Sequence, residues 1–386
     1  MSKILIEEKI MIYFDNAATT KVFPEILDNI KLWSEEFYAN PNSVHSDGQK
    51  SRMVIDESRR YIASTLGVGD DEIIFTSCAT ESNNTIIRGL ADEYPEKNEI
   101  VISPIEHKSV LNPVKYLVKK GFKIKFLKVD KQGIVDLDDL KKKLSSKTLF
   151  VSVIHVNNET GVIQDIREIG KICKERDILL FSDTVQSFCK IDIPSNLIDF
   201  YSVSGHKINA PKGIGFFRRR KDINLTPLLF GGGQEFGLRS GTENVVFIKA
   251  LSETVNIWIK RRNLYMDKLY RLSSKFLEKL KNTFSDIEIV SENVKRTPNI
   301  VTVIFPKIDA QTLIMALSTE GIAVSSGSAC SSGTPEPSRV LLSYGYSEEK
   351  ALRAVRFSFG IDNTEEEIDI LIRKIKDIFE RLLPFY

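Results

Sequence analysis

Cysteine is scarce in this chain of 386 residues, with only four, at positions 78, 173, 189 and 330. No two form a C-x-x-C pair. The spacing suits neither a zinc site nor a disulfide framework and predicts a reducing compartment. Long apolar runs are missing too, and nothing approaches the roughly 18 residues of a membrane span. The N-terminal stretch mixes Lys and Glu through its apolar residues, unlike a secretory h-region or an acid-poor transit peptide. The expectation is a soluble cytoplasmic protein without a membrane partner. Charge of one sign is also lacking. With 54 basic and 52 acidic residues the formal charge is +2, which argues against direct nucleic-acid binding. Local basic runs such as Arg218-Arg219-Arg220-Lys221 read as solvated faces. There is no G-x-x-x-x-G-K-[ST] and no strand-linked G-x-G-x-x-G, so no phosphate is expected to be held in either of those ways.

What is present is an alternation of short β-branched runs and helical patterns, in a chain long enough for two domains. Candidate strands are 72–76, 100–102, 123–129, 149–156, 178–182, 200–203 and 213–217. Segments 80–93, 109–120 and 166–176 between them have helical spacing. Strands separated by helices imply crossovers and a mostly parallel sheet. After about residue 255 the texture changes. Met266, Leu269, Leu272, Phe276, Leu277 and Leu280 follow a helical period. Strands at 299–305 and 355–359 and a helix at 365–383 follow, an α+β texture that fits a smaller second domain.

Ligands gather at the carboxyl ends of strands in open α/β sheets. The first such end, Phe75-Thr76-Ser77-Cys78-Ala79-Thr80-Glu81, runs into a helix start and offers backbone N–H groups to an anion, or simply an ordinary capping Thr80. The second carries Glu106-His107, and a lone His there is more often structural. The third, Val156-Asn157-Asn158-Glu159-Thr160-Gly161, also suits a plain turn. The fourth places Asp183 directly after an apolar strand, where an acid is costly unless paired. The fifth, Ser204-Gly205-His206-Lys207, presents a candidate Schiff-base amine. Anion cup, acid, histidine and amine together are what pyridoxal phosphate requires. Outside these ends stands Cys330, in Ser325-Ser326-Gly327-Ser328-Ala329-Cys330-Ser331-Ser332-Gly333. No neighbour can anchor that run in a core. It reads either as a linker with an incidental thiol or as a thiol that must travel.

At this point the sequence resembles the cysteine desulfurases of the NifS/IscS type, within the fold-type I pyridoxal-phosphate enzymes (class V aminotransferase-like). The matching stretches are 13–20 (YFDNAATT), 79–84, 106–107, 156–161, 183–186, 204–207 with 210–213, and 231–245 (GGGQEFGLRSGTENV). They continue with 325–337 (SSGSACSSGTPEP), 355–359 and 363–366. The resemblance implies a large α/β domain, 18–258, whose mostly parallel seven-stranded sheet is flanked by helices and binds the cofactor. A smaller α+β domain, 1–17 with 259–386, would carry the Cys330 loop.

It also implies roles. Lys207 would bind the cofactor covalently, Asp183 would pair with its pyridinium nitrogen, and Gln186 would bond its phenolic oxygen. His107 would stack on the ring and move protons. Ala79, Thr80, Ser204, Gly205 and His206 would line the phosphate and ring site. Thr242 would reach the phosphate of the partner in a homodimer. Asn158 would touch cofactor and substrate, and Arg356 would fork onto the substrate carboxylate. The implied reaction takes L-cysteine to L-alanine and leaves sulfur as a persulfide on Cys330. A sulfur-acceptor protein, such as an iron–sulfur scaffold or a tRNA-thiolation enzyme, would collect it. No metal is implied. A selenocysteine lyase is the alternative of the same fold. Two residues depart from the family pattern. Cys78 stands where relatives have Gly and reads as a small packing residue. Phe236 stands where Arg is common.

Overall fold

The computed structural model describes residues 11–327 and 336–382. It divides into two compact units. The larger comprises Thr19–Asn157 and Val162–Arg262, and the smaller comprises Met1–Ala18, Asn158–Gly161 and Asn263–Tyr386. One difference from the sequence expectation is the short segment Asn158–Gly161, which makes its contacts with the smaller unit. Gly161 there adopts φ +76, and a β-carbon on it would meet the carbonyl oxygen of Ile300 at 3.0 Å, so glycine permits the close approach.

Strand β1, Ile12–Tyr13, belongs to the smaller unit. The larger unit holds β2 (Ile73–Thr76), β3 (Glu99–Ile102), β4 (Lys123–Phe126), β5 (Thr148–Ser152), β6 (Leu179–Asp183), β7 (Phe200–Ser204) and β8 (Gly215–Arg219). They form one sheet in the order β2-β8-β7-β6-β5-β3-β4. Only β8 runs against its neighbours, β2 and β7, and the other pairings are parallel. The connecting helices include α1 (Pro24–Glu36), α2 (Ser46–Leu66), α3 (Ala79–Glu93), α4 (Lys108–Val118), α5 (Leu137–Lys143) and α6 (Ile166–Glu175). The central strands are buried on both faces, as a sheet covered by crossover helices requires. Ile86, Ile87 and Leu90 of α3 and Val110 and Val114 of α4 pack on Ile100, Ile102, Phe181, Phe200 and Phe217.

Two expected strands are shorter than their apolar runs. The segment after Phe126 leaves the ladder, and so does the one after Ser152. Val153 and His155 still donate to Phe181 and Asp183 beyond that point, which keeps the strand end beside β6 without extending the sheet.

In the smaller unit β9 (Glu288–Ile289), β10 (Ile300–Ile304) and β12 (Ala354–Ser358) make an antiparallel sheet with β10 in the middle. β11 (Ile322–Ala323) pairs in parallel with β1. Helix α7 runs for 39 residues, Val245–Thr283, starting well before the periodic stretch read from sequence, and its residues from Asn263 onward belong to this unit. Its Leu269, Leu272, Phe276 and Leu280 share a core with Phe305, Phe357 and Phe359, and with α8 (Ala310–Thr319) and α11 (Glu365–Leu382). Two short helices, α9 (Arg339–Ser343) and α10 (Glu348–Leu352), lie between β11 and β12. Among the described residues no helix is long and apolar enough to cross a membrane, and no cluster of His, Cys, Asp or Glu forms a metal site.

Candidate active site

The larger unit brings most of the predicted residues to one edge of its sheet. Helix α3 begins at Ala79 behind an extended Cys78, whose side chain makes no capping bond. The first backbone N–H groups of this 15-residue helix, at Ala79 and Thr80, therefore receive no cap from the Cys78 side chain. Cys78 sits this close to the sheet because position 215 is glycine. A β-carbon there would stand 2.5 Å from the carbonyl oxygen of Val203 and 3.1 Å from Cys78 Cα.

The glycine-rich loop is tied to this end by two ion pairs. Arg239 Nε donates to Glu81 at 2.9 Å, and the Ser77 N–H and hydroxyl donate to the same carboxylate. Burial opposes ionisation of Glu81, yet Arg239 and Ser77 outweigh it and hold its pKa below the ordinary value. Glu235 accepts from buried Arg59 and from the backbone N–H of Phe75. The Arg59 guanidinium lies 4.8 Å from the centre of the Phe75 ring and 4.9 Å from that of Phe236. Phe236 thus supplies a cation–π face to Arg59 rather than a charge of its own. Thr242 is exposed in this loop.

Asp183 ends β6 and is buried. Its Oδ1 accepts from the Val185 N–H at 3.0 Å, and its Oδ2 from Asn83 Nδ2 at 3.4 Å. Burial pushes its pKa up, and the positive charges of His107 and Lys207 and the two hydrogen bonds only partly offset this. Asn83 Nδ2 also donates to Ser109 Oγ at 2.8 Å, and Ser109 Oγ lies 2.7 Å from His107 Nδ1. The Ser109 N–H donates to the same Nδ1 at 3.1 Å, so neutral His107 carries its proton on Nε2. One chain of contacts therefore runs from Asp183 through Asn83 and Ser109 to the exposed His107 ring. Asn83 and Ser109 were assigned no role from sequence. Their signal is weak: a buried polar residue one turn into α3, and a Ser two places after a candidate His.

Lys207 closes a short turn, Gly205–Lys207, directly after β7. Gly205 is required by space, because a β-carbon there would come within 3.0 Å of both Ala210 Cβ and the Ile214 carbonyl oxygen. His206 Nδ1 lies 3.2 Å from Thr19 Oγ1. Burial, then Lys207 and Lys212, push the His206 pKa down to about 4, so this ring is neutral near neutral pH. Ser204 and Gln186 are buried. Thr80, His107 and Ser109 line an open cavity of about 530 Å³ with Asn84, Arg88, Lys108, Asn112, Pro113 and Tyr116.

Asn158 and Arg356 belong to the smaller unit and are taken separately. Arg356 lies on β12 and is buried. Its Nη1 donates to the Asn158 carbonyl oxygen at 3.0 Å and its Nη2 to Asp15 Oδ1 at 2.7 Å, leaving Nε buried without an acceptor among the described residues. Its backbone pairs with Ser325. Cys330 lies outside the described residues. Of the other three thiols, Cys173 and Cys189 are buried and pushed up to about 12 by burial, which leaves half-exposed Cys78.

These groups fit pyridoxal phosphate on their own terms. A helix N-terminus without a side-chain cap suits the phosphate, a buried carboxylate bonded only to neutral donors suits a protonated ring nitrogen, and an amine closes the adjacent strand end. A profile of the family described as Aminotransferase class-V matches residues 12–371. The chain is 38% identical over 376 residues to the cysteine desulfurase IscS of Dictyoglomus turgidum, covering 96% of this chain and 95% of that protein. A solved NifS-like protein superposes with a TM-score of 0.91 at 38% identity, covering 96% of this chain and 100% of its own. Another, SspA in complex with cysteine, does so at 0.80 and 35% identity, covering 90% and 98%. The chain belongs to the aminotransferase class-V family, with the fold-type I architecture of pyridoxal-phosphate enzymes. Within that family it is a cysteine desulfurase, dependent on pyridoxal phosphate.

Proposed function

We propose that the chain works as a cytoplasmic homodimer that converts L-cysteine to L-alanine and passes the sulfur, as a persulfide on Cys330, to a thiol of an acceptor protein. The acceptor would be an iron–sulfur scaffold or a tRNA-thiolation enzyme. The observation that carries the site assignment is the contact chain Asp183–Asn83–Ser109–His107 beside the turn of Lys207.

In this reading Ala79 and Thr80 bind the phosphate at the start of α3, with Ser204, Gly205 and His206 lining the site. Gln186 and Asn158 bond the ring and its substituents. Asp183 keeps the ring nitrogen protonated, which relieves the cost of burying its carboxylate. The bound cofactor supplies an electron sink for charge developing at the substrate Cα. Lys207 Nζ would hold the cofactor and, as a free amine, would accept the substrate Cα proton. His107, its Nδ1 held by Ser109, exchanges a proton at Nε2. Arg356 forks onto the substrate carboxylate. The Cys330 thiolate attacks the substrate Sγ: a sulfur–sulfur bond forms, the carbon–sulfur bond breaks, and its electron pair stays with the part that becomes alanine.

Dimerisation is supported by the glycine-rich loop and the residues just before it, where Phe230, Phe236 and Leu229 are 79%, 58% and 41% exposed beside exposed Thr242.

The test is Cys330→Ser. The variant should bind cofactor and keep its visible absorbance with cysteine, yet lose sulfide release and the 32-Da adduct that mass spectrometry finds on the wild-type peptide, ~32 being one sulfur atom. Normal sulfide release by Cys330→Ser would remove the persulfide assignment.

A further inference from the structure

The turn that carries Lys207 is held at every backbone carbonyl. The Gly205 oxygen accepts from the N–H groups of Ile208 and Ala210. The His206 oxygen accepts from the Thr20 N–H at 2.9 Å and its hydroxyl at 3.0 Å. The Ile208 oxygen accepts from Trp258 Nε1 at 2.8 Å, and the Asn209 oxygen from the Phe23 N–H at 3.0 Å. Four of the five carbonyls thus have neutral donors. The fifth, that of Lys207 itself, accepts from the ammonium of Lys190 at 3.1 Å.

Lys190 is an expensive donor for that task. It is 6% exposed, and among the described residues it forms no ion pair and its Nζ has no other hydrogen-bond acceptor. Taking an ammonium out of water costs several kcal/mol, on the order of what a well-made ion pair returns, and one neutral carbonyl returns less. Burial accordingly draws its pKa down to about 8.

The backbone around it is built to place it. Cys189 adopts φ +63, which a non-glycine residue does at a cost. The Lys190 N–H donates to Ser187 at 2.9 Å. Arg262 donates twice to the Lys190 carbonyl oxygen, at 3.2 Å each, while its Nη1 pairs with Asp192 at 2.7 Å. Backbone strain at Cys189 and the fork from Arg262 act on the Lys190 backbone, and the desolvated ammonium that this backbone carries reaches one carbonyl, that of the reactive lysine.

We propose that Lys190 is a positioning residue for the reaction, fixing the backbone from which the Lys207 side chain departs. The inference rests on the assignment of Lys207 as the cofactor-holding amine. A displacement of about 1 Å at such a group costs on the order of 10²-fold in rate.

The test compares Lys190→Met, which fills the space without donating, with Lys190→Arg, which keeps a cationic donor. Three readouts are followed: the kcat and KM of the holoenzyme, its visible circular dichroism, and the rate at which apoprotein captures pyridoxal phosphate. Lys190→Met should lower kcat by about tenfold or more with KM little changed, alter the visible dichroism and slow capture, and Lys190→Arg should restore all three in part. Wild-type dichroism, capture and kcat in Lys190→Met overturn the proposal, and so does a loss confined to thermal stability. If Lys190→Met does not fold, Lys190→Gln, whose shorter chain withdraws the donor, is read by the same criteria. Lys207→Ala separates the two levels: normal absorbance and turnover in that variant would sink the Lys207 assignment, whereas an inert Lys207→Ala beside an unaltered Lys190→Met sinks only this inference.

Discussion

Asp183 and Arg356 are both buried and both charged groups of the proposed chemistry, yet the chain treats them in opposite ways. Asp183 in the larger unit forms no ion pair among the described residues, and its oxygens meet a backbone N–H and an amide. Burial therefore dominates and its pKa rises. Arg356 in the smaller unit already carries a carboxylate, that of Asp15, and a backbone carbonyl. The first group is left short of a cation, which in the proposed site a protonated ring nitrogen would supply. The second is held in shape by an internal anion, with Nε still lacking an acceptor. An uncompensated charge marks where a ligand of opposite sign is needed. A compensated one is already held in shape before any ligand arrives.

The contrast can be broken most sharply at Asp183. Asp183→Asn should lower kcat by on the order of 10²-fold or more, because a charge that the reaction draws on is removed. The melting temperature of the apoprotein should nonetheless hold or rise, since an uncompensated buried carboxylate has gone. A large fall in apoprotein stability would show that the carboxylate is structural.

Arg356→Lys should act more mildly and in the other sense. The fork geometry is lost, and KM for cysteine should rise by about tenfold while kcat falls less. Stability should drop as well, because Asp15 loses its partner at Nη2. Unchanged KM would dismiss the carboxylate-binding role.

The smallest effect concerns His206, which avoids charge altogether. Its folded pKa, about 4, lies below the ordinary 6.5, so between those values the unfolded chain binds more protons. Its contribution is fully present above pH 6.5 and is lost as pH falls through the folded value. Denaturant unfolding of the apoprotein from pH 7 to pH 4 should lose part of this slope in His206→Gln, and an identical slope would mean the ring is solvated.

The strand ends were readable because each couples an apolar run to an abrupt change of chemistry, as Phe181-Ser182-Asp183 does. The seven strands followed from the same pattern, with errors at the ends where backbone bonding outlives the ladder, as after Ser152. The partners of the site residues were not readable. Asn83 reaches Asp183 across 100 positions, and Asp15 reaches Arg356 across 341. Neither pairing leaves a local trace, since an amide on a helix or an acid after β1 has no periodicity to betray it. Lys190 was hidden for a different reason: one lysine among many looks solvated until its burial is known. Phe236 read as a missing charge, whereas the fold uses its ring against Arg59.

The strands that bear the acid and the amine lie side by side, with Asp183 opposite Ser202 and the turn of Lys207 beginning just past Ser204. Their alignment is therefore set by the hydrogen-bond register of two fully buried strands, and a slip of one residue would turn Asp183 to the other face of the sheet. Such strands open only when the core opens, so their amides should exchange with solvent at the slowest rates in the chain. The spacing between acid and amine thus lasts as long as the folded state itself.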